Sequence, residues 1–169
     1  MENNVLEEFK NNSIYRLKEG ERMLHLAFKK IDEEQLWLRA VPQGMSLGNQ
    51  LLHSCGNMTQ YIIASLGNRK DTRQRSAEFE TQGGATSSEL LKKLATTVAL
   101  AVETIETTSE EEYLRMRKVQ GFNLTGIGAV LHAVEHFSYH VGQVAFWVKQ
   151  LTNSDLGFYD QQDLNQLNP

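Results

Sequence analysis

The sequence predicts an all-α protein that folds as a four-helix bundle. Four stretches carry apolar side chains at three- and four-residue steps, the period of an amphipathic helix. The chain has only two prolines, so long helices can run without interruption. We find no convincing pattern for a sheet, and amphipathic helices without a sheet bury their apolar faces against one another.

Size and composition indicate a single domain over residues 1–169. Hydrophobic residues make up 40% and charged residues 22%, which is ordinary for a globular chain with its own core. The N-terminus is polar and acidic, unlike a signal peptide, and no run of about 18 apolar residues predicts a membrane span. A single cysteine fits a reducing compartment, so we expect a cytoplasmic protein. The net charge of −4 argues against non-specific nucleic-acid binding, which usually needs a basic face.

The first two helices are predicted over residues 5–31 and 47–66. An acidic run that starts at Asp32 ends the first, and Ser46 is a suitable N-cap for the second. Gly67 and Asn68 both tolerate the left-handed conformation that commonly ends a helix. A long connection, residues 68–86, then separates helices two and three. Its arginines are followed by glutamates, so internal ion pairing is the simpler interpretation, and the alternative is that they hold a carboxylate or phosphate of a substrate.

The last two helices are predicted over residues 87–106 and 125–151. Thr86 and Glu89 match a capping box before the third helix, and Thr125 or a neighbour starts the fourth. Residues 113–122 alternate apolar and basic side chains, which fits an extended segment or a short helix and favours the extended segment. The polar tail from Asn153 onward is expected to pack loosely or to fray.

Three of the five histidines lie one helical turn apart in the fourth helix, at His132, His136 and His140. Residues four apart share a helix face, so an adjacent pair can bind one metal ion through neutral ring nitrogens. All three cannot bind the same ion, because roughly 12 Å of helix rise separates the first from the last. An adjacent pair therefore needs a ligand from elsewhere, and His53 on the second helix can supply it. Otherwise these are core or surface histidines that hydrogen-bond locally.

A polar stripe accompanies His53 on the second helix. Asn57 and Gln60 follow it at three- and four-residue steps, so the three side chains share a face. Such a stripe is typical of an exposed polar face or of a wet site whose amides orient a ligand or water. Cys55 points away from this stripe and is interpreted as a small core residue, not a nucleophile.

These motifs resemble the DinB-like superfamily of four-helix-bundle proteins. The resemblance rests on His53, on Gly56-Asn57, and on the run His136-Phe-Ser-Tyr-His140-Val-Gly-Gln143. The resemblance extends from the first helix to about Leu151. One branch of this superfamily, of uncharacterised bacterial proteins, also has a run like Arg73-Gln-Arg-Ser-Ala-Glu-Phe-Glu of this chain. Many relatives have an arginine where this chain has Val141.

The resemblance implies a divalent metal ion held by His53, His136 and His140. His132 then lines the site one turn earlier, and Asn57, Gln60 and Gln143 are candidates to support the ligands; no catalytic residue is assigned. Zn²⁺, Ni²⁺, Mn²⁺ and Fe²⁺ all accept imidazole, so the sequence does not distinguish among these metals.

The function that the resemblance implies is that of a metal-dependent enzyme. Three histidines leave a coordination position open for water or substrate. Some relatives resemble S-transferases that move a low-molecular-weight thiol onto a small-molecule electrophile, and a metal-dependent hydrolase is a weaker alternative. Two further alternatives for the function are a non-catalytic metal or small-molecule binding protein of a stress response, and a structural bundle with incidental histidines. We expect a homodimer because relatives often pair.

Overall fold

Four long helical stretches dominate the computed structural model, which describes residues 5–167. Helices and strands follow one another along the chain as α1 (Val5–Phe28), α2 (Glu33–Leu36), α3 (Leu47–Met58), a π-helical segment (Thr59–Leu66), α4 (Arg75–Glu80), α5 (Ser87–Thr107), α6 (Glu110–Leu114), β1 (Arg117–Val119), β2 (Phe122–Leu124) and α7 (Gly126–Thr152). The predicted all-α bundle is confirmed. Within residues 5–167, no helix is both long and apolar enough to cross a membrane.

The bundle core lies between α1, α3, α5 and α7. Helix α7 packs against both α1 and α3, and α5 packs against the same two helices. The apolar stripes read from the sequence meet there, and Leu17, Leu51, Leu94 and Val144 are among the side chains removed from solvent. Because α3 and α7 are neighbours, side chains on their facing surfaces can meet inside the bundle.

Three of the long helices begin at the side-chain caps that the sequence indicates. Ser46 and Thr86 each accept a hydrogen bond from the backbone N–H three residues on and complete a capping box. Thr125 accepts from the N–H of Gly128 and starts α7. These short-range hydrogen bonds explain why the predicted helix starts agree with the structure.

The structure corrects several details of the predicted elements. Helix α1 ends at Phe28 rather than residue 31, and Asp32 caps the separate short helix α2 instead of merely following α1. At the end of the second helical stretch, Asn68 is left-handed with φ 52°, whereas Gly67 has φ −77°. The long connection contains α4, so it is not without structure.

A small sheet, which the sequence did not predict, precedes α7. Strands β1 and β2 pair antiparallel, and Gln120 and Gly121 between them both have positive φ, which is the requirement of a tight hairpin turn. Part of the segment predicted as extended, residues 113–122, belongs to this hairpin, but Tyr113 and Leu114 end helix α6.

The tail after α7 is better anchored than expected. Leu156 is only 2% exposed, and Arg22 donates a hydrogen bond of 2.9 Å to the carbonyl of Phe158. The expectation that the tail packs loosely is therefore wrong around residue 156. Its last two residues lie outside the described range.

Candidate metal centre

The structure brings His53 of α3 together with His136 and His140 of α7. Each ring offers a nitrogen within 4.8 Å of those of the other two, and the ring centroids lie 4.5–5.0 Å apart. The Nε2 atoms of His53 and His136 are 3.1 Å apart. Two nitrogens that bind one metal at 2.0–2.1 Å with a tetrahedral angle are separated by about 3.3–3.4 Å. The spacing of this pair is therefore close to that of two ligands of one ion.

The orientation of His53 is set by Glu78. The Nδ1 atom of His53 lies 2.8 Å from Oε2 of Glu78, so the ring donates its Nδ1–H to the carboxylate. The lone pair of Nε2 then points toward the other two histidines. A carboxylate behind a histidine in this way fixes the ring and makes it a stronger metal ligand.

Arg73 holds Glu78 in place from the opposite side. Its guanidinium donates from Nε to Oε1 at 2.7 Å and from Nη2 to Oε2 at 2.8 Å, which is a bidentate ion pair. The side chain of Arg73 is 2% exposed and that of Glu78 is 10% exposed. Burial opposes ionisation of Glu78, but the hydrogen bonds from Arg73 and His53 outweigh it and lower the pKa of the carboxyl.

Gly56 makes room for this ion pair. A Cβ atom at that position would lie 1.9 Å from Oε1 of Glu78 and 2.9 Å from Nε of Arg73. Position 56, one turn after His53, therefore requires a glycine, because the carboxylate of Glu78 occupies the space of a Cβ atom there.

His140 is oriented in a similar way by an amide. Its Nδ1 faces Oε1 of Gln50, a carbonyl oxygen that can only accept, so Nδ1 carries the proton and Nε2 remains free. Burial and then the neighbouring His53 lower the pKa of His140 to about 4. The imidazole is consequently neutral at physiological pH, which is the form that binds a metal.

His136 lies between the other two rings. Burial, followed by His140 and His53, lowers its pKa to about 3. Its Nδ1 atom is buried without a hydrogen-bond partner among the described residues. No hydrogen bond through Nδ1 therefore dictates the tautomer of this ring, which differs in this respect from His53 and His140.

The residues expected to support the site fall into two groups. Gln60 and Gln143 act on its immediate neighbours: Gln60 accepts a hydrogen bond of 3.0 Å from Nη1 of Arg73, and Gln143 raises the pKa of His140 against the effect of burial. Asn57 and His132 contact each other instead, with 3.4 Å between Nδ2 and Nε2.

His132 is outside the group of three converging rings. It stacks on Tyr61 with the centroids 4.1 Å apart, and its centroid is 5.7 Å from that of His136. Burial lowers its pKa. His132 therefore extends the lining of the site toward the π-helical segment, and its role in function stays a prediction.

Glu78 and Gln50 were not predicted from the sequence as site residues. Pairing between the arginines and glutamates of the connection was predicted, and the Arg73–Glu78 pair confirms it, but its place behind His53 was not. The one local signal for Gln50 is that it precedes His53 by three residues and so shares its helix face. Glu78 contacts His53 across 25 residues of sequence, so periodicity could not reveal the contact.

Cys55, the single cysteine of the sequence, is not part of the site. It is 1% exposed, and burial raises the pKa of its thiol to about 11. The structure agrees with the interpretation of Cys55 as a core residue.

Fold and site together define an all-α bundle in which facing helices carry three converging histidines. The family described as "Protein of unknown function (DUF1572)" matches residues 4–159, and the chain belongs to this family. A search of curated proteins gave no match.

Two solved structures share the fold. One is a conserved protein from Enterococcus faecalis, with a TM-score of 0.72 and 14% identity, covering 85% of this chain and 97% of that one. The other is a DinB-like protein (YjoA) from Bacillus subtilis, with a TM-score of 0.65 and 15% identity, covering 85% of this chain and 94% of that one. The fold is therefore that of the DinB-like proteins, and the three-histidine cluster is compatible with metal binding.

Proposed function

We propose that this protein is a metal-dependent S-transferase that moves a low-molecular-weight thiol onto a small-molecule electrophile. His53, His136 and His140 would hold the divalent metal ion. The observation that carries the proposal is the convergence of three imidazole nitrogens within 4.8 Å from two facing helices. A bound divalent ion with an open position would supply a Lewis acid that lowers the pKa of a thiol or of water.

The fit of these residues to a metal is supported by their hydrogen bonds. The Nδ1–H groups of His53 and His140 are directed to Glu78 and Gln50, so both rings present Nε2 inward. Core histidines that only fill space do not need this arrangement, because either tautomer would serve them. Such oriented rings are typical of metal sites.

The thiol is proposed to come from outside the protein because the chain offers no suitable nucleophile. Cys55 is buried with a raised pKa, and it lies on a different face of α3 from His53. The remaining task of the protein residues is to keep the rings neutral, oriented and shielded from water. Glu78 and Gln50 contribute to the orientation.

The first test is elemental analysis of freshly purified full-length protein beside two variants. His136→Ala removes one of the three converging rings, whereas His25→Ala removes a histidine on α1 that is outside this group and whose side chain is 41% exposed. We expect roughly one divalent metal per chain in the wild type and in His25→Ala, and a strong loss in His136→Ala. Added Zn²⁺ or Ni²⁺ should raise the melting temperature of the wild type and of His25→Ala but not of His136→Ala, because a ligand that binds only the folded state stabilises it. Equal metal content in all three proteins, or none in any, would refute the site.

The second test separates the candidate functions. The metal-loaded protein is assayed with a panel of low-molecular-weight thiols and electrophiles, with and without a chelator, and in parallel with ester and amide substrates. Thiol transfer that the chelator abolishes and that His136→Ala lacks supports the proposal. Metal-dependent ester or amide cleavage without thiol transfer indicates a hydrolase, and bound metal without turnover indicates a non-catalytic binding protein.

A further inference from the structure

A cavity of about 380 Å³ lies at the end of the π-helical segment, against the hairpin. We call it the basic pocket, because its lining includes Arg69, Arg115, Arg117, Lys118, Gln60 and Asp71. A volume of this size accommodates a small organic molecule or its charged end. The alternative interpretation of the sequence, that arginines of the connection hold a carboxylate or phosphate, included Arg69 but not the residues of the hairpin.

The basic pocket carries an excess of positive charge in a chain whose net charge is −4. Of its described lining residues, only Asp71 is acidic, and Glu112 outside the lining pairs with Arg115 and Arg117. Four cations against these two carboxylates leave two positive charges in excess. Arg69 and Lys118 are exposed and form no ion pair with any residue that the structure describes.

Arg117 supplies a fixed positive charge at the base of the basic pocket. Its side chain is 5% exposed, and its guanidinium donates to the backbone carbonyls of Ser65, at 2.7 Å, and of Glu112. Since this group is already committed to the fold, we assign Arg117 a structural role. Arg69 and Lys118 remain available to a ligand.

Two side chains connect the basic pocket to the candidate metal centre. Gln60 lines the pocket and accepts from Arg73, whose guanidinium holds Glu78 behind His53. On the other side, the hydroxyl of Tyr61 donates at 3.0 Å to Gln120, another lining residue, while its ring stacks on His132. The side chains of Gln60 and Arg73 on one side, and of Tyr61 and His132 on the other, therefore lie between the basic pocket and the three converging histidines.

We propose that the basic pocket binds the oxyanion group, carboxylate or phosphate, of a small-molecule ligand. Arg69 and Lys118 provide the charge-assisted hydrogen bonds that recognise this group. Oxyanion binding here does not depend on the proposed function and can be measured without it.

The test is titration of the metal-free full-length protein with inorganic phosphate and with succinate, followed by calorimetry or by backbone NMR shifts. Removing metal on a chelating resin ensures that the anions cannot bind at a metal ion, so any binding is to groups of the protein itself. We expect saturable binding in the millimolar range with shifts at residues 69 and 118. High salt should weaken it, because screening acts strongly on exposed charges.

Matched variants locate the binding. Arg69→Gln and Lys118→Gln each remove one free cation from the basic pocket, and Lys92→Gln removes an exposed lysine of α5 that does not line it. We expect each pocket variant to weaken binding about three- to tenfold and Lys92→Gln to leave it unchanged. Binding of succinate alone identifies a carboxylate subsite, and binding of phosphate alone identifies a phosphate subsite.

Two results would overturn the proposal. One is the absence of saturable binding of both anions by the wild type, and the other is equal binding by the wild type and both pocket variants. Metal content, measured on the same samples, is expected to be unchanged in Arg69→Gln and Lys118→Gln. A failure of the metal centre is thereby distinguished from a failure of the basic pocket.

Discussion

Substitution of Gly56 by alanine tests the arrangement behind His53 most directly. In an ordinary helix interior, alanine is more favourable than glycine by about 1 kcal/mol. Here the new Cβ would lie 1.9 Å from Oε1 of Glu78, so the buried ion pair with Arg73 must move. Overpacking of this kind costs about 1–3 kcal/mol, and the helix propensity of alanine offsets about 1 kcal/mol of it. We therefore expect a net loss of up to about 2 kcal/mol, which lowers the melting temperature by up to about 4–8 °C in a chain of this length.

Gly142→Ala is the matched control for this experiment. Gly142 also lies inside a long helix, but a Cβ there would meet nothing within 4 Å. This variant should gain up to about 1 kcal/mol and melt about 2–4 °C higher than the wild type. Unfolding in urea and thermal melts, both followed by circular dichroism, measure the two changes.

Metal affinity provides an independent readout of the same pair of variants. Gly56→Ala should weaken metal binding about tenfold or more, because Glu78 can no longer hold His53. Gly142→Ala should bind metal as the wild type does. If Gly56→Ala is stabilised as much as Gly142→Ala and keeps the affinity of the wild type, then Glu78 does not occupy the position described and the reasoning is refuted.

Further expectations concern Glu78 and Cys55. Glu78→Gln keeps an acceptor for the Nδ1–H of His53 but removes the charge. We therefore expect metal affinity to fall about 10- to 100-fold, measured in a competition assay with a chromophoric chelator. An unchanged affinity would show that the carboxylate of Glu78 does not support His53 as a ligand. The Cys55 thiol should resist iodoacetamide at pH 8 in the folded protein, because its pKa of about 11 leaves only about one thiolate in a thousand and because it is 1% exposed. It should react readily in denaturant, and rapid alkylation of the native chain would contradict its burial. The expected homodimer stays a prediction that sedimentation measurements test.

The sequence predicted the long helices to within a few residues because the determinants of a helix are local. Apolar periodicity and the caps at Ser46, Thr86 and Thr125 act over one or two turns, and the structure contains them. The hairpin before α7 escaped prediction because its strands have only three residues each, too few to show a period.

The residues of the candidate metal centre also depend partly on local sequence and partly on contacts between distant parts of the chain. The four-residue spacing of His136 and His140 by itself places both rings on one face of α7, and the resemblance adds His53 to them. What only the tertiary structure decided is the meeting of groups that are distant in sequence. His53 lies 83 residues from His136, and Gln50 lies 90 residues from His140.

The basic pocket joins residues whose meeting the sequence alone did not reveal. Its two free cations are Arg69, just after the π-helical segment, and Lys118 on β1, and no repeat or motif links the two residues. Local sequence determines which face of a helix is apolar and where the helix begins, because these depend on hydrogen bonds and contacts within a few residues. The packing of helices and loops determines which polar side chains meet, because that depends on the summed shape of the whole core.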